Sequence, residues 1–423
     1  MTDSHDKTDA VHHRLARMAG RNPDQSHRVA TPLELLFDLT FVIGFGAAAA
    51  QLAHALADGH SVSGVAAFGV VMFAICWAWI NYSWFSSAYD TDDWAFRLAT
   101  FVQMIGVIVL SLGVPRAFAS IDHGTRLDID VIALGYVIMR LAMVFLWLRA
   151  AREDATRRKT CLTYAVTILV AQIGWIALVL AEPGWPVTIL VWALLLLVEM
   201  AGPVIAEGWI GEGGTPWHAH HIAERYGLLA IIGLGEGIIG TVASVSAIVE
   251  RQGWSAESIM ICAAGIGLTF GMWWMYFILP AAPVLHKFRH RAFPWGYLHI
   301  VLFAAIAATG AGLHVVGNFI EHKAKIGAVA TVIAAAVPVG LFIVAIYVIY
   351  SALLRTFDPL HALLLGASAA VLCATVALAS MGASITLCLA VLTLAPAATV
   401  IGYEIAGVRY VRDALAQALA KKP

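Results

Sequence analysis

Two segments of the sequence place ionisable side chains inside long apolar runs. Glu34 and Asp38 are four residues apart near the start of the first run, and helical geometry would put both carboxylates on one face. A second segment carries a denser group, which consists of His218, His220, His221, Glu224, Arg225 and Glu236. Carboxylates beside guanidinium and imidazole groups could exchange protons or bind a charged solute.

These side chains belong to a larger set of charges embedded in apolar sequence. A charged side chain at the centre of a bilayer costs about 2.5–3.5 kcal/mol on insertion scales, so each member needs a partner or a function. The set also contains Glu199, which lies in the sixth run. We predict that the residues that bind substrate or protons are Glu34, Asp38, Arg140, Glu224, Arg225 and Glu236.

A structural role competes with the functional one at several of these positions. Thr31-Pro32-Leu33-Glu34 has the form of a capping box with proline at the first helical position. Asp38 lies one turn deeper, where it either pairs with Arg97 or Arg140 or faces a wet cavity. Glu236 and Arg225 are too far apart along one helix to pair, so Glu236 needs a partner from another helix, and Arg140 is the natural candidate.

His220, His221 and Glu224 could bind a divalent metal ion from one helix edge. Their spacings of three and four residues put the three groups side by side, and Glu34 or Asp38 could supply further ligands. Histidines are common at a membrane interface, so a solvated helix entrance or a pH-sensitive gate is the preferred interpretation. We expect no other cofactor, and the lack of a Walker A loop excludes ATP as the direct energy source.

The composition of the chain predicts a membrane protein. Of its 423 residues, 61% are hydrophobic and only 13% are charged, whereas soluble domains have roughly 45–50% and 25%. The 14 tryptophans and 18 phenylalanines also exclude a disordered chain. We therefore expect an all-α polytopic membrane protein that contacts the lipid bilayer and has no nucleic-acid partner.

Twelve apolar runs are long enough to cross a bilayer, and they should be helices because an unpaired backbone cannot face lipid. They lie at about 31–57, 62–89, 93–117, 128–150, 160–181, 185–206, 216–248, 255–280, 291–317, 325–353, 360–380 and 382–404. Lysine and arginine number 19 on one side of these spans and 5 on the other. This bias predicts that both termini are cytoplasmic.

The even number of spans suggests an internal duplication of six plus six helices in parallel orientation. The matching segments are Trp79-Ile-Asn-Tyr82 with Trp273-Trp-Met-Tyr276, and Thr31-Pro32 with Thr215-Pro216. The alternative is that the aromatic residues only mark the interfacial belt of a membrane protein. The predicted organisation is a polar tail at 1–30, two halves at 31–206 and 207–405, and a tail at 406–423.

Two motifs resemble those of a known bacterial family. Glu34-Leu-Leu-Phe-Asp38-Leu39 is similar to the Glu-Leu-Phe-Phe-Asp-Leu signature of the low-temperature-requirement A family, with Leu36 and Thr40 as departures. His221-Ile-Ala-Glu224-Arg225-Tyr226-Gly227, followed by Leu234-Gly235-Glu236, is similar to its second signature. The resemblance covers about residues 28–405. It implies a many-helix inner-membrane protein associated with growth in the cold, without a settled substrate or reaction.

The predicted depth of the charges suggests a polar cavity that opens to the cytoplasm, with Glu236 and Arg140 as its floor. A proton-coupled secondary transporter of a small solute fits this arrangement best. The alternatives are a metal-dependent membrane enzyme acting on a lipid-like substrate and, third, an ion channel, which the lack of a TVGYG filter disfavours. We expect a multi-pass protein of the bacterial inner membrane, which could form a homo-oligomer.

Overall fold

The computed structural model describes residues 15–25, 28–124, 126–210 and 214–421, without the side chains of Trp209 and Ile210. Every regular element in these ranges is a helix. Twelve of the helical segments are long and apolar enough to cross a membrane. The predicted all-α polytopic class and the predicted number of spans are therefore confirmed.

The first six spans are single helices joined by short connections. They are α1 (Pro32–Ala57), α2 (Ser61–Tyr89), α3 (Trp94–His123), α4 (Asp130–Glu153), α5 (Arg158–Ala181) and α6 (Trp185–Ile205). A π-helical turn at Ala206–Ile210 extends α6. Proline stands at the first helical position of α1, where its missing N–H costs no hydrogen bond.

The other six spans are less regular. They are built from α7 (Ala219–Gln252), α8 (Ala256–Phe277), α9 (Ala281–Lys287), α10 (Ala292–Ile320), α11 (Ala328–Leu354), α12 (Pro359–Ser380), α13 (Ile385–Leu392), α14 (Leu394–Gly402) and α15 (Val408–Ala420). The short α9 and a 3-10 turn at Arg289–Arg291 connect α8 to α10. The helix of the last span continues beyond the apolar run that was predicted to end at about 404, because a π-helical turn at Tyr403–Gly407 leads directly into α15.

Four helices form the centre of the bundle and bring the two halves of the chain together. α1, α2, α7 and α10 pack against one another, α3–α6 flank them on one side, and α8 and α11–α15 flank them on the other. Glycine allows the closest approach: a Cβ added to Gly240 of α7 would lie 2.6 Å from the carbonyl oxygen of Gly310 in α10. Because α1 and α7 also contact each other in this centre, side chains from the two halves of the chain meet there.

The segments that suggested a duplication lie in different surroundings. Trp79 and Tyr82 are fully buried, whereas Trp273 is 38% exposed. Thr31 caps α1 with its side chain, but Thr215 lies in the loop before α7, where it donates to Glu207. The parallel duplication and the cytoplasmic position of both termini stay predictions.

Residues 15–25 run across one end of the bundle, and we call them the N-terminal strap. This end, where α1, α3, α5 and α7 begin, is termed the basic end. The amide N–H groups of Ala16 and Met18 donate to the carboxylates of Asp93 and Glu153. The side chain of Met18 is fully buried. Gly20 lies against Pro216, just before α7, so the strap contacts both halves of the chain.

Candidate functional site

The start of α1 fixes the position of Glu34. The hydroxyl of Thr31 accepts a hydrogen bond from the Glu34 N–H at 3.3 Å, and Oε2 of Glu34 accepts one from the Thr31 N–H at 2.8 Å. The predicted capping box is therefore confirmed. The same carboxylate also faces α7, so capping explains only part of its surroundings.

Glu34 and Asp38 share a single guanidinium, that of Arg225 in α7. Nη1 of Arg225 lies 2.9 Å from Oε1 of Glu34, and Nη2 lies 2.5 Å from Oδ1 of Asp38. Nε2 of His221 lies 3.1 Å from Oε2 of Glu34, and the hydroxyl of Ser86 in α2 donates to Oε1 at 2.7 Å. The side chains of both carboxylates, Arg225 and His221 are fully buried. We call these five residues the ion network.

Aromatic rings enclose the ion network. The indole N–H of Trp79 donates to Oδ1 of Asp38 at 2.7 Å. The guanidinium of Arg225 lies 5.6 Å from the ring centroid of Trp79 and 5.8 Å from that of Tyr82. The charged side chains of the ion network are fully buried. Because an isolated charge is costly in such a low-dielectric environment, the opposite charges of the network compensate one another. The network thus ties α1, α2 and α7 together across the two halves.

The partner of Asp38 differs from both partners that we predicted. Arg97 forms an exposed pair with Asp92 at 2.8 Å, whereas Arg140 is held elsewhere in the first half. The spacing of Glu34 and Asp38 did indicate a shared helix face. It could not identify Arg225, because the choice depends on how α7 docks against α1.

The predicted pairing of Arg140 with Glu236 was wrong. Nη2 of Arg140 lies 2.7 Å from Oε2 of Glu199 in α6, and both side chains are almost fully buried. Glu199 accepts three further hydrogen bonds, from Trp77, Tyr136 and Gln172. Four donors thus converge on the Glu199 carboxylate, whereas Nε and Nη1 of Arg140 are buried without a hydrogen-bond partner among the described residues.

Glu236 lies apart from both clusters. It is 4% exposed, and its carboxylate has no hydrogen bond or ion pair with any side chain in the described part of the chain. A Cβ added to Gly46 of α1 would lie 3.0 Å from its Oε1, and one added to Gly310 of α10 would lie 2.7 Å from its Cβ. The side chain of Glu236 therefore lies beside a glycine of α1 and a glycine of α10, where these helices have no side chains of their own.

The predicted polar cavity does not connect the ion network to Glu236. Glu236 follows Arg225 by 11 residues, which corresponds to about 16 Å along α7. Phe45 is fully buried between these levels, close to Gly233 and 6.4 Å from the ring centroid of Phe303. Packed aromatic rings thus separate the ion network from the unpaired carboxylate.

The three candidate metal ligands do not converge. His220 is exposed, Glu224 is half-buried, and His221 instead faces Glu34. Within the described ranges, no group of three or more His, Cys, Asp or Glu side chains is arranged to hold a metal ion. The spacing along α7 is compatible with one helix edge, but of the three side chains only that of His221 is buried, and it contacts Glu34.

One cavity, which we call the aromatic cavity, was not predicted from the sequence. Its volume is about 350 Å³, and its walls come from α2, α4, α5 and α6, from the loop before α7 and from α10. It extends along α2 from Trp84 to Trp77, which lies 12 residues or about 18 Å before the end of that helix. The cavity therefore reaches about half the depth of a bilayer from the basic end.

Two charged side chains line the mouth of this cavity. Glu207 accepts hydrogen bonds from the hydroxyl groups of Thr215 at 2.6 Å and Tyr164 at 3.0 Å. The guanidinium of Arg289 lies 3.8 Å from the ring centroid of Trp217 and donates to two backbone carbonyl oxygens. The only sequence signal for the cavity was the high tryptophan content of α2, because its other walls come from distant segments.

Asp90, at the C-terminal end of α2, should make stability depend on pH. Burial raises the pKa of Asp90 to about 6, and its Oδ2 accepts no hydrogen bond from the described residues. A raised pKa means that the folded state binds the proton more tightly, so the contribution of Asp90 to stability should fall as pH rises from about 4 to 6. We expect Asp90→Asn to raise the free energy of unfolding at pH 7 by about 1–2 kcal/mol and to remove this dependence.

Thermal unfolding of the purified protein between pH 4 and 8 checks this expectation. Asp92→Asn is the matched control, because the Asp92 side chain is 49% exposed. A stability difference between Asp90→Asn and the wild-type protein that is the same at pH 4 and at pH 7 would contradict the assigned role of Asp90.

Comparison with known proteins identifies the family of the chain. One relative is an uncharacterized protein of Rhizobium meliloti (strain 1021), which is 30% identical over 266 residues. This match covers 60% of the chain and 59% of that relative's length. No solved structure matches the chain. The model of the bacterial low temperature requirement A protein family matches residues 29–396, so this multi-pass membrane protein belongs to that family.

Proposed function

We propose that the protein is a secondary transporter of a small solute in the bacterial inner membrane. The observation that carries this proposal is the aromatic cavity, which lies between helices of both halves and reaches about half the bilayer depth from one end. Its volume of about 350 Å³ falls within the range of small-molecule sites. With both termini in the cytoplasm, as the charge bias predicts, the cavity would open to the cytoplasm.

The contacts between the halves favour a mechanism in which they move relative to each other. The ion network joins α1 and α2 to α7 near the basic end, and glycines let α7 and α10 pack backbone to backbone. Small-residue interfaces between membrane helices permit close packing without interlocking side chains. In this proposal the network holds the two halves together near the basic end while the opposite end opens.

Glu236 is the group that we propose carries the coupling proton. Its carboxylate is buried at the α1–α7–α10 junction and lacks a partner among the described residues, unlike Glu34, Asp38 and Glu199. A buried carboxylate that no cation neutralises favours its protonated form and releases the proton when water reaches it. Motion at this junction would therefore couple water access to proton transfer.

Proton movement in proteoliposomes tests the proposal without a known substrate. Vesicles containing the full-length protein and a pH-sensitive dye are mixed with a low-molecular-weight extract of bacterial cytosol. We expect the wild-type protein to change the internal pH and Glu236→Gln to lose at least about nine-tenths of that rate, because glutamine cannot release the proton.

Glu250→Gln is the matched control, because Glu250 is an exposed carboxylate on the same helix. It should retain the wild-type rate. Proton movement no faster than in protein-free vesicles would contradict transport, whereas equal rates for wild type and Glu236→Gln would contradict the role of Glu236.

A further inference from the structure

The walls of the aromatic cavity are unusually rich in indole rings. Trp77, Trp84, Trp147 and Trp217 all line it, and the ring of Tyr164 stacks on Trp147 with a centroid distance of 4.1 Å. The face of an aromatic ring carries negative electrostatic potential, and tryptophan attracts cations more strongly than the other aromatic residues. Four indoles around one space therefore favour a positively charged occupant with an apolar body.

One cation already lies against this wall. The guanidinium of Arg289 is 3.8 Å from the ring centroid of Trp217. Its Nη1 and Nη2 donate to the carbonyl oxygens of Trp217 and Thr215, both at 3.1 Å. Because these bonds orient the guanidinium toward the loop before α7, Arg289 is poorly placed to recognise an anion in the cavity.

Two of the remaining polar groups on the wall offer acceptor atoms, whereas the indole N–H of Trp147 is a buried donor without a partner among the described residues. Nδ2 of Asn81 donates to the carbonyl of Trp77, and its Oδ1 accepts no hydrogen bond from the described residues. Glu207 adds a carboxylate that accepts hydrogen bonds from Tyr164 and Thr215. It forms no ion pair with another side chain of the described residues. The carboxylate can thus offset the charge of a bound cation.

We propose that the aromatic cavity binds an organic monocation, such as a quaternary or protonated amine with an apolar body. The positive centre would lie against the indole faces near Glu207, and the apolar part would extend toward Trp77. This inference rests on the proposed transport function for its biological meaning, because it names the class of solute that would be carried. The binding itself requires only the cavity.

Calorimetric titration of the purified full-length protein with three probes tests the inference. The probes are trimethylphenylammonium, the neutral amine N,N-dimethylaniline at pH 7.5 and the anion benzenesulfonate. We expect the cation to bind about tenfold or more tightly than either of the others, because only a cation gains from the ring faces and the carboxylate. Equal or tighter binding of the anion or of the neutral amine would overturn the inference.

Three variants locate the binding. Trp84→Leu and Glu207→Gln should each weaken cation binding about tenfold, whereas Trp273→Leu should leave it unchanged, because Trp273 is 38% exposed and outside the cavity. Unaltered cation affinity in both cavity variants would overturn the location. Trp84 also donates to the hydroxyl of Tyr226, so thermal unfolding of each variant accompanies the titration. The probe comparison on the wild-type protein needs no substitution.

The two proposals fail separately. Selective cation binding without proton movement in vesicles would overturn transport and leave the binding class intact. Proton movement without cation selectivity would overturn the binding class and leave transport intact.

Discussion

Replacing Arg225 with methionine should lower the free energy of unfolding by about 3–5 kcal/mol, enough to prevent stable insertion of most of the protein. The guanidinium is the only one within 4.0 Å of Glu34 and Asp38 among the described residues, and all three side chains are fully buried. Without it, two carboxylates would share a dry site in which the imidazole of His221 is the ionisable group left beside them. Methionine has a similar length, so the loss would reflect charge rather than a cavity.

Thermal unfolding in detergent, followed by size-exclusion chromatography, measures this effect. Arg97→Met is the matched control: its pair with Asp92 is exposed, and the change should stay within about 1 kcal/mol. The triple variant Glu34→Gln, Asp38→Asn, Arg225→Met should recover much of the stability, because no charge is then left unpaired. If the triple variant were no more stable than Arg225→Met alone, the electrostatic explanation would fail.

The second large effect is expected where α3 crosses α4. A Cβ added to Gly135 would lie 2.3 Å from the amide nitrogen of Leu110 and 2.5 Å from the carbonyl oxygen of Gly106. Both contacts are with backbone atoms, which cannot rotate away as a side chain would. We therefore expect Gly135→Val to force the two helices apart and to cost about 3 kcal/mol or more.

Gly69→Val provides the comparison within the same half of the chain. Gly69 lies inside α2, and nothing is within 4 Å of an added Cβ. This variant should lose no stability, since valine has a somewhat higher helix propensity than glycine. Equal melting temperatures for the two variants would show that the α3–α4 crossing tolerates separation.

The sequence permitted prediction of those features that depend on neighbouring residues. The spans follow from local hydropathy, the cap at Thr31 from a four-residue motif, and the shared face of Glu34 and Asp38 from helical geometry. Each of these is set within a few turns of one helix. Family membership likewise followed from two short motifs.

The partners of the charges depend on tertiary packing and could not be predicted. Arg140 was expected to pair with Glu236, yet it contacts Glu199, because α4 packs on α5, which in turn packs on α6. Hydropathy identifies buried helices but does not say which of them are neighbours. The aromatic cavity was missed for the same reason, since segments as distant as Trp77 and Arg289 line it.

The N-terminal strap imposes an order on biogenesis. Its contacts include Asp93, Glu153, Pro216 and His286, whose Nε2 lies 3.9 Å from the Asp24 carboxylate, so its last partner leaves the ribosome only after about two thirds of the chain has been made. Until then the strap is tethered to α1 at the membrane surface, and only the part of its docking surface that belongs to the first half is present. The segment that precedes the first span is thus secured only after the first half has been inserted.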